Sequence, residues 1–328
     1  MSKGIGRIFS IGVAKETVRG TVEAAASYWL PFSEAIMEDK TEKVMVDQSF
    51  GVIEDSVGSE LTKQWAEVSF KSIITDAVFP LILKAAFGTS ASALHSGETT
   101  VYDHTITVNE SAQHQSLSLF LNDPVSTNDY KHALGCLENL EIKISPAALV
   151  EYSASFKAKK GTSATLTPAQ TVENRFHAKH AIFKVAANLA GLTAASAMNI
   201  RNLTLKVSKN LEDDDALGSL DPVDFLNKQL VIEGTLEAVW QTEADFKTAY
   251  LANTNKALRI DLKNTDITLG SAANPEVQID LAKVTFKELS RPIKINDTVM
   301  QQLSFKAHYS TSDTKMVTVL CTNSVTSY

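Results

Sequence analysis

His177 and His180 form an HxxH pair, a spacing that invites comparison with zinc-binding histidines. The segment around them alternates like a strand, which sends the two rings to opposite faces, and no glutamate lies between them as in the helical zinc motif. Glu212, Asp213, Asp214 and Asp215 form a run of consecutive acids. A calcium loop needs alternating oxygen ligands and a later glutamate, so the run reads as a solvated loop or a charged contact to a neighbouring subunit. Cys136 and Cys321 stand far apart with no second cysteine near either. That spacing excludes a CxxC redox pair and a cysteine-rich zinc site, and both read as small buried residues. GxGxxG, GxxxxGK[ST] and GxSxG are all absent. Trp29, Trp65 and Trp240 lie in apolar contexts that suit core or interface packing. No convergent set of polar groups emerges, so no catalytic residue, cofactor or metal ligand is assigned, and the chain is expected not to be an enzyme.

These side chains sit on a chain of 328 residues, 44% hydrophobic and 21% charged, a globular composition with length for about two domains. Its formal net charge of −7 lacks the basic excess with which proteins grip phosphate backbones. The opening "MSKGIGRIFSIGVAKETVRG" has no apolar core of a secretory signal. The longest apolar run, Ile73 to Phe87, is broken by Asp76, Pro80 and Lys84 and falls short of the ~20 residues that span a bilayer. A soluble protein without membrane insertion, synthesised in the cytoplasm, is expected.

Period-2 alternation dominates, the mark of antiparallel strands with one face buried and one wetted. Leu117, Leu119 and Leu121 form one stripe; Leu140, Ile142 and Ile144 another; Tyr152, Ala154 and Phe156 a third. Leu203, Leu205 and Val207, then Val277, Ile279 and Leu281, then Leu303, Phe305 and Ala307, continue the pattern. Helical signal occurs about once per half. "TDAVFPLILKAAFG" has Asp76 as a cap, Pro80 for the first turn and Gly88 as a stop. "QTEADFKTAYLANTN" opens on a shortened capping box, Thr242 with Asp245, and stops at Asn253.

The tetrapeptide Ser-Phe-Lys-Ala occurs twice, at Ser155–Ala158 and Ser304–Ala307. Upstream of each helix, Glu67, Ser69 and Phe70 match Glu233, Thr235 and Leu236. A strand follows each helix, "TVYDHTITV" and "KALRIDLKN", and each half ends on its SFKA strand. The repeated order reads as an internal duplication. The expected organisation is mainly β: an extended N-terminal arm (1–33), a first domain (34–161), a Thr/Ala/Pro-rich linker (162–175) and a second domain (176–328). Each domain is read as a β-sandwich or barrel with one flanking α-helix. The arm lies outside the repeat, and its deletion is expected to leave both domains folded.

The stretches "IGVAKETVRGTVEAAASYWLPFSEAIMEDK", "VDQSFGVIEDSVG", "VYDHTITVNESAQHQSLSL" and "LSFKAHYSTSDTKMVTVLCTN", in that order, resemble the tail tube (major tail) proteins of long-tailed bacteriophages. The resemblance implies a virion protein whose folds join edge to edge into rings, the rings stacking into a hollow tube through which DNA passes during ejection. It also implies a tape-measure protein and a tail terminator as partners. A duplicated fold implies six folds from three chains, a pseudo-hexameric trimer. The alternative is another ring or tube former, a type VI secretion-like tube or a tail terminator. Ring-to-ring contacts are expected from Ile5, Ile8, Phe9, Tyr28, Trp29 and Phe32 of the arm and from Glu212, Asp213, Asp214 and Asp215. An acidic balance suits a channel wall that must not hold phosphates.

Overall fold

A computed structural model describes residues 4–125, 128–240, 246–293 and 295–328. The first half carries strands β1 (Ser10–Lys15), β2 (Tyr28–Leu30), β3 (Phe32–Met45) and β4 (Ser59–Ile73), then helix α1 (Phe79–Phe87). After these come β5 (Gly88–Leu94), β6 (Tyr102–Val108), β7 (Leu117–Asn122), β8 (Asp129–Ile144), β9 (Glu151–Ala158) and β10 (Thr162–Ala164). The second half carries β11 (Ala181–Ala186), β12 (Ala197–Met198), β13 (Ile200–Asp214), β14 (Asp224–Val239) and helix α2 (Lys247–Leu251). It ends with β15 (Lys256–Lys263), β16 (Glu276–Ser290), β17 (Met300–His308) and β18 (Val317–Asn323). The protein is mainly β, and the strand pairs among the described residues are all antiparallel.

The pairing pattern is written twice. β1 lies between β2 and β7, and β7 lies against β8; β11 lies between β12 and β15, and β15 lies against β16. β4 joins β3 to β9, and β9 leads to β8; β14 joins β13 to β17, and β17 leads to β16. β10 and β18 close the series on β8 and β16. β8 and β16 are thus the long strands that bend from one sheet of each sandwich into the other. Register slips that permit the bend recur: between Leu137 and Asn139 in β8 and between Phe286 and Glu288 in β16. β3 and β13 also share one, between Phe32 and Glu34 and between Ile200 and Asn202. Such bulges redirect a strand and raise its twist, so their repetition fixes the same curvature in both halves.

Three sequence expectations change. The arm has a counterpart: β1 and β2 stand where β11 and β12 stand in the second half, with Ile11, Val13, Ala14 and Leu30 almost wholly buried. The strand after α1 that matches "KALRIDLK" is β7. "TVYDHTITV" supplies β6, half of an added β5–β6 hairpin, and β6 also pairs with β18 of the other half. Asp76 does not cap α1. Its carboxylate accepts hydrogen bonds from the backbone and side chain of Asn174 at 3.0 and 2.7 Å, and the helix begins at Phe79 with Pro80 in its first turn. Gly88 does end it, at φ 104°, a conformation glycine adopts without strain. In the second helix, Thr242 and Asp245 fall outside the described residues. Asn253 at φ 47° follows the last turn.

The core is continuous from one half into the other. α1 is buried along almost its whole length, among Phe70, Tyr152 and Phe156, and Phe79 tilts against Tyr152 at 5.0 Å between ring centroids. In the second half Phe246 meets Phe286 edge-on at 5.5 Å. Polar links cross between halves as well: the Lys209 ammonium donates to Ala85 O at the end of α1 at 2.6 Å, and burial pulls its pKa down to about 7. Lys84 of that helix donates to Tyr328 O at 2.7 Å.

Candidate functional site

The two halves meet where β8 of the first pairs with β13 of the second, Leu203 opposite Ile144 through Ser208 opposite Asn139. The result is one eight-stranded sheet in the order β3-β4-β9-β8-β13-β14-β17-β16, four strands from each half. Every second residue points away from the core. On this wetted face, Ser69 lies opposite Ser155, Glu67 opposite Lys157, Lys206 opposite Glu141 and Glu233 opposite Lys306.

The charges on this face are interleaved and matched. Glu141 takes Lys143 at 2.7 Å and Lys206 at 2.9 Å, so one carboxylate spans the junction between halves. Partial burial raises its pKa, and the two lysines outweigh that and hold it below the usual carboxylate range. Glu233 takes Lys287 at 2.6 Å and Lys306 at 3.5 Å and is likewise held low, chiefly by Lys287. Lys71 pairs with Glu151 at 3.0 Å, and Lys40 with Glu38 at 2.5 Å. Lys157 pairs with Asp213 at 2.8 Å. The acids left over take neutral donors: Glu67 from Trp65 at 3.2 Å, and Glu237 from Asn202 at 2.6 Å. Each of these lysines is therefore neutralised locally, and the surplus charge is acidic. Paired in this way, these lysines present no cluster of free cations on the face.

The acidic run lies partly on strand: Glu212, Asp213 and Asp214 belong to β13, and only Asp215 follows it. Asp213 bridges Lys63 and Lys157, each at 2.8 Å, Asp215 also reaches Lys63 at 2.7 Å, and Glu212 pairs with Lys228 at 2.9 Å. The first three ion pairs close the far ends of β4, β9 and β13 against one another. In the arm, Trp29 is packed against Ala14, Phe120 and Leu166, while Tyr28 and Phe32 lean on the main core. Ile5 is 65% and Ile8 49% exposed, which leaves these two with apolar surface to offer, and Phe9 is half-buried.

The loop that follows β1 holds two links invisible to sequence patterning. Arg19 forks onto Asp224 at 2.6–3.0 Å and donates to His114 O at 2.6 Å and Phe225 O at 3.1 Å, locking the first half to the start of β14. Buried Glu16 accepts from Leu134 N at 2.6 Å, Gly20 N at 2.7 Å and Ser116 Oγ at 2.5 Å. His177 and His180 are not on a strand but on a short 3-10 turn, so their rings meet edge-on, 5.4 Å apart, instead of facing opposite ways. His180 accepts from His177 N at 3.1 Å and turns its other nitrogen to Asp266 at 3.1 Å. That fixes the turn and uses both ring nitrogens. Among the described residues no group of three or more His, Cys, Asp or Glu side chains could hold a metal ion.

A sequence profile of the family described as phage tail tube protein matches residues 6–307. No curated protein sequence matches the chain.

Proposed function

The chain belongs to the phage tail tube protein family, and from that premise we propose that three copies close into a pseudo-hexameric ring, that rings stack into the tail tube, and that the wetted face of the eight-stranded sheet lines the channel for DNA. The protein is a structural component of the virion tail, not an enzyme. The observation that carries the ring reading is the β8·β13 junction: two copies of one strand pattern already stand edge to edge in a single sheet. Repeating that step through three chains gives six units. It also removes the free strand edges that otherwise invite aggregation. The matched charges of the wetted face support the channel reading, since a wall whose lysines at its centre are each held by a carboxylate lets a polyanion slide. A tape-measure protein within the channel and a terminator at its end are the partners this role calls for.

Negative-stain microscopy of the purified chain tests the reading, with native mass spectrometry of isolated rings to count subunits. Hollow tubes or stacked rings with three chains per ring are expected. Six chains per ring overturn the pseudo-hexamer, and a monomer at all concentrations, with tail partners added, overturns the tube.

A further inference from the structure

The junction between the two halves has a register that can be carried over to the free edges of the sheet. Registers of the two halves superpose residue for residue: Glu38 opposite Glu67 matches Lys206 opposite Glu233, and Leu137 opposite Phe156 matches Phe286 opposite Phe305. On this equivalence, segment 35–40 of β3 corresponds to segment 203–208 of β13, and 288–293 to 139–144 of β8. In the chain, 203–208 and 139–144 are paired with each other. Their counterparts are the two free edges of the eight-stranded sheet: β3 pairs with β4 alone, and Glu288–Ser290 of β16 pairs with β17 alone among the described residues.

We propose that the free edge 35–40 of one chain takes segment 288–293 of a second copy, antiparallel and in the register of the internal junction. That sets Lys40 opposite Glu288, Glu38 opposite Ser290 and Ala35 opposite Ile293. The inference rests on the ring reading and adds to it the strands and register of the subunit contact. Two observations beyond symmetry point the same way. Ile144, seated at the internal junction, is 6% exposed, whereas its counterpart Ile293 is 73% exposed, an apolar side chain standing where a neighbouring edge would cover it. Ile36, 48% exposed on an otherwise polar face, falls opposite Pro292 and gains an apolar neighbour. Lys40 opposite Glu288 is a favourable cross-strand charge pair. Pro292 brings no N–H, so the hydrogen-bonded ladder is densest over Glu288–Arg291. Closure of this contact through three chains leaves no free edge in the sheet.

The paired positions lie within disulfide reach, since directly opposite Cα atoms in antiparallel strands stand about 4.5–5.5 Å apart. The native Cys136 and Cys321 are buried and do not interfere. Glu38→Cys with Ser290→Cys, oxidised in assembled rings, is expected to give covalent multimers on non-reducing gels, while either single variant runs as monomer. Glu34→Cys with Ser290→Cys is offset by four residues, about 13 Å, and is expected to give none. Rings that form normally but fail to cross-link in register, or cross-link equally at the offset pair, overturn the register and leave the ring intact. Absence of rings from the unsubstituted chain overturns the ring reading and this contact with it. Should the cysteine variants fail to assemble, a charge exchange decides: Lys40→Glu is expected to cut ring yield several-fold, and adding Glu288→Lys to restore it. No restoration overturns the pairing.

Discussion

Phe156 and Phe305 occupy one position in two copies of the same strand arrangement, yet their rings rest on different supports. Phe156 lies opposite Val68 and stacks on Phe70 at 5.6 Å between centroids. Phe305 lies opposite Gly234, and the residue matching Phe70 is Leu236, which offers no ring to stack on. The Phe305 ring settles onto the backbone of residue 234 instead. A Cβ built there would collide with that ring and stand 2.6 Å from Thr204 O. Glycine at 234 is therefore the counterpart of losing an aromatic two residues away.

Gly234→Val, which rewrites the second half in the likeness of the first, is expected to destabilise the protein by about 1–3 kcal/mol through overpacking. Thermal or denaturant unfolding measures it. Adding Phe305→Leu should recover part of the loss, because the two positions share one space and their effects are coupled. An additive double variant would show that Thr204 O, and not the ring, sets the limit.

The duplication is legible in the sequence because its strands are long and half-buried, so that Val68, Phe70 and Phe156 on one side alternate with polar residues on the other. β1 is not legible in that way: Ile11 to Ala14 are all buried, Gly12 included, and a short strand buried on both faces has no alternation to read. Gly12 is needed for close approach, since a Cβ there would meet Ala26 at 2.6 Å. β6 misleads for the opposite reason. It alternates well, but its place depends on pairing with β18 more than two hundred residues away, which no local pattern encodes. The acidic run is read as loop because consecutive acids carry no apolar stripe, and the lysines that neutralise it come from β4, β9 and β14, which only the fold brings to it. Arg19 and Glu16 carry no motif at all; only the fold shows what they join.

The arm is part of the first sandwich, so its removal tests folding before it tests assembly. Deleting residues 1–33 takes away β1 and β2, and with them Ile11, Val13, Leu30 and the carboxylate of Glu16. The first half is expected to lose its near-ultraviolet circular dichroism and cooperative melting. Deleting residues 1–9 leaves every strand in place and is expected to preserve the melting transition. Arg19→Lys keeps the charge but not the planar fork, and a loss of about 2 kcal/mol is expected.

Asp261 gives the protein a pH dependence with a definite sign. Its Oδ1 is buried without a hydrogen-bond partner among the described residues, and burial, with Glu276 nearby, pushes its pKa up to about 6 from 3.8. The nearby cations are engaged elsewhere, Arg259 with Asp280 and Lys263 with Glu276. A carboxyl with a raised folded pKa contributes its full stability below the unfolded value and loses it as pH rises through the folded one. Asp261→Asn is thus expected to raise the unfolding free energy by up to about 2 kcal/mol at pH 7.5 and by nothing near pH 3.5. Equal gains at both pH values would assign the effect to packing.

The channel reading makes its sharpest demand on the two carboxylates that each hold a pair of lysines. Glu141→Gln and Glu233→Gln together release Lys143, Lys206, Lys287 and Lys306 onto the wetted face while changing no side-chain volume appreciably. Their cost to folding is small, because exposed pairs contribute about 0–1 kcal/mol each, so tubes should still form. The freed ammonium groups then face the phosphates of passing DNA, and such contacts bind through counterion release and weaken steeply with salt. Phage carrying the double substitution are expected to eject DNA several-fold more slowly at low ionic strength and to approach the unsubstituted rate as salt rises. The reverse change, Lys206→Gln with Lys306→Gln, removes cations and is expected to leave ejection rates unaltered. If releasing four lysines in every subunit leaves ejection unchanged at low salt, the wetted face does not line the channel, and another face of the sheet must be sought for the wall.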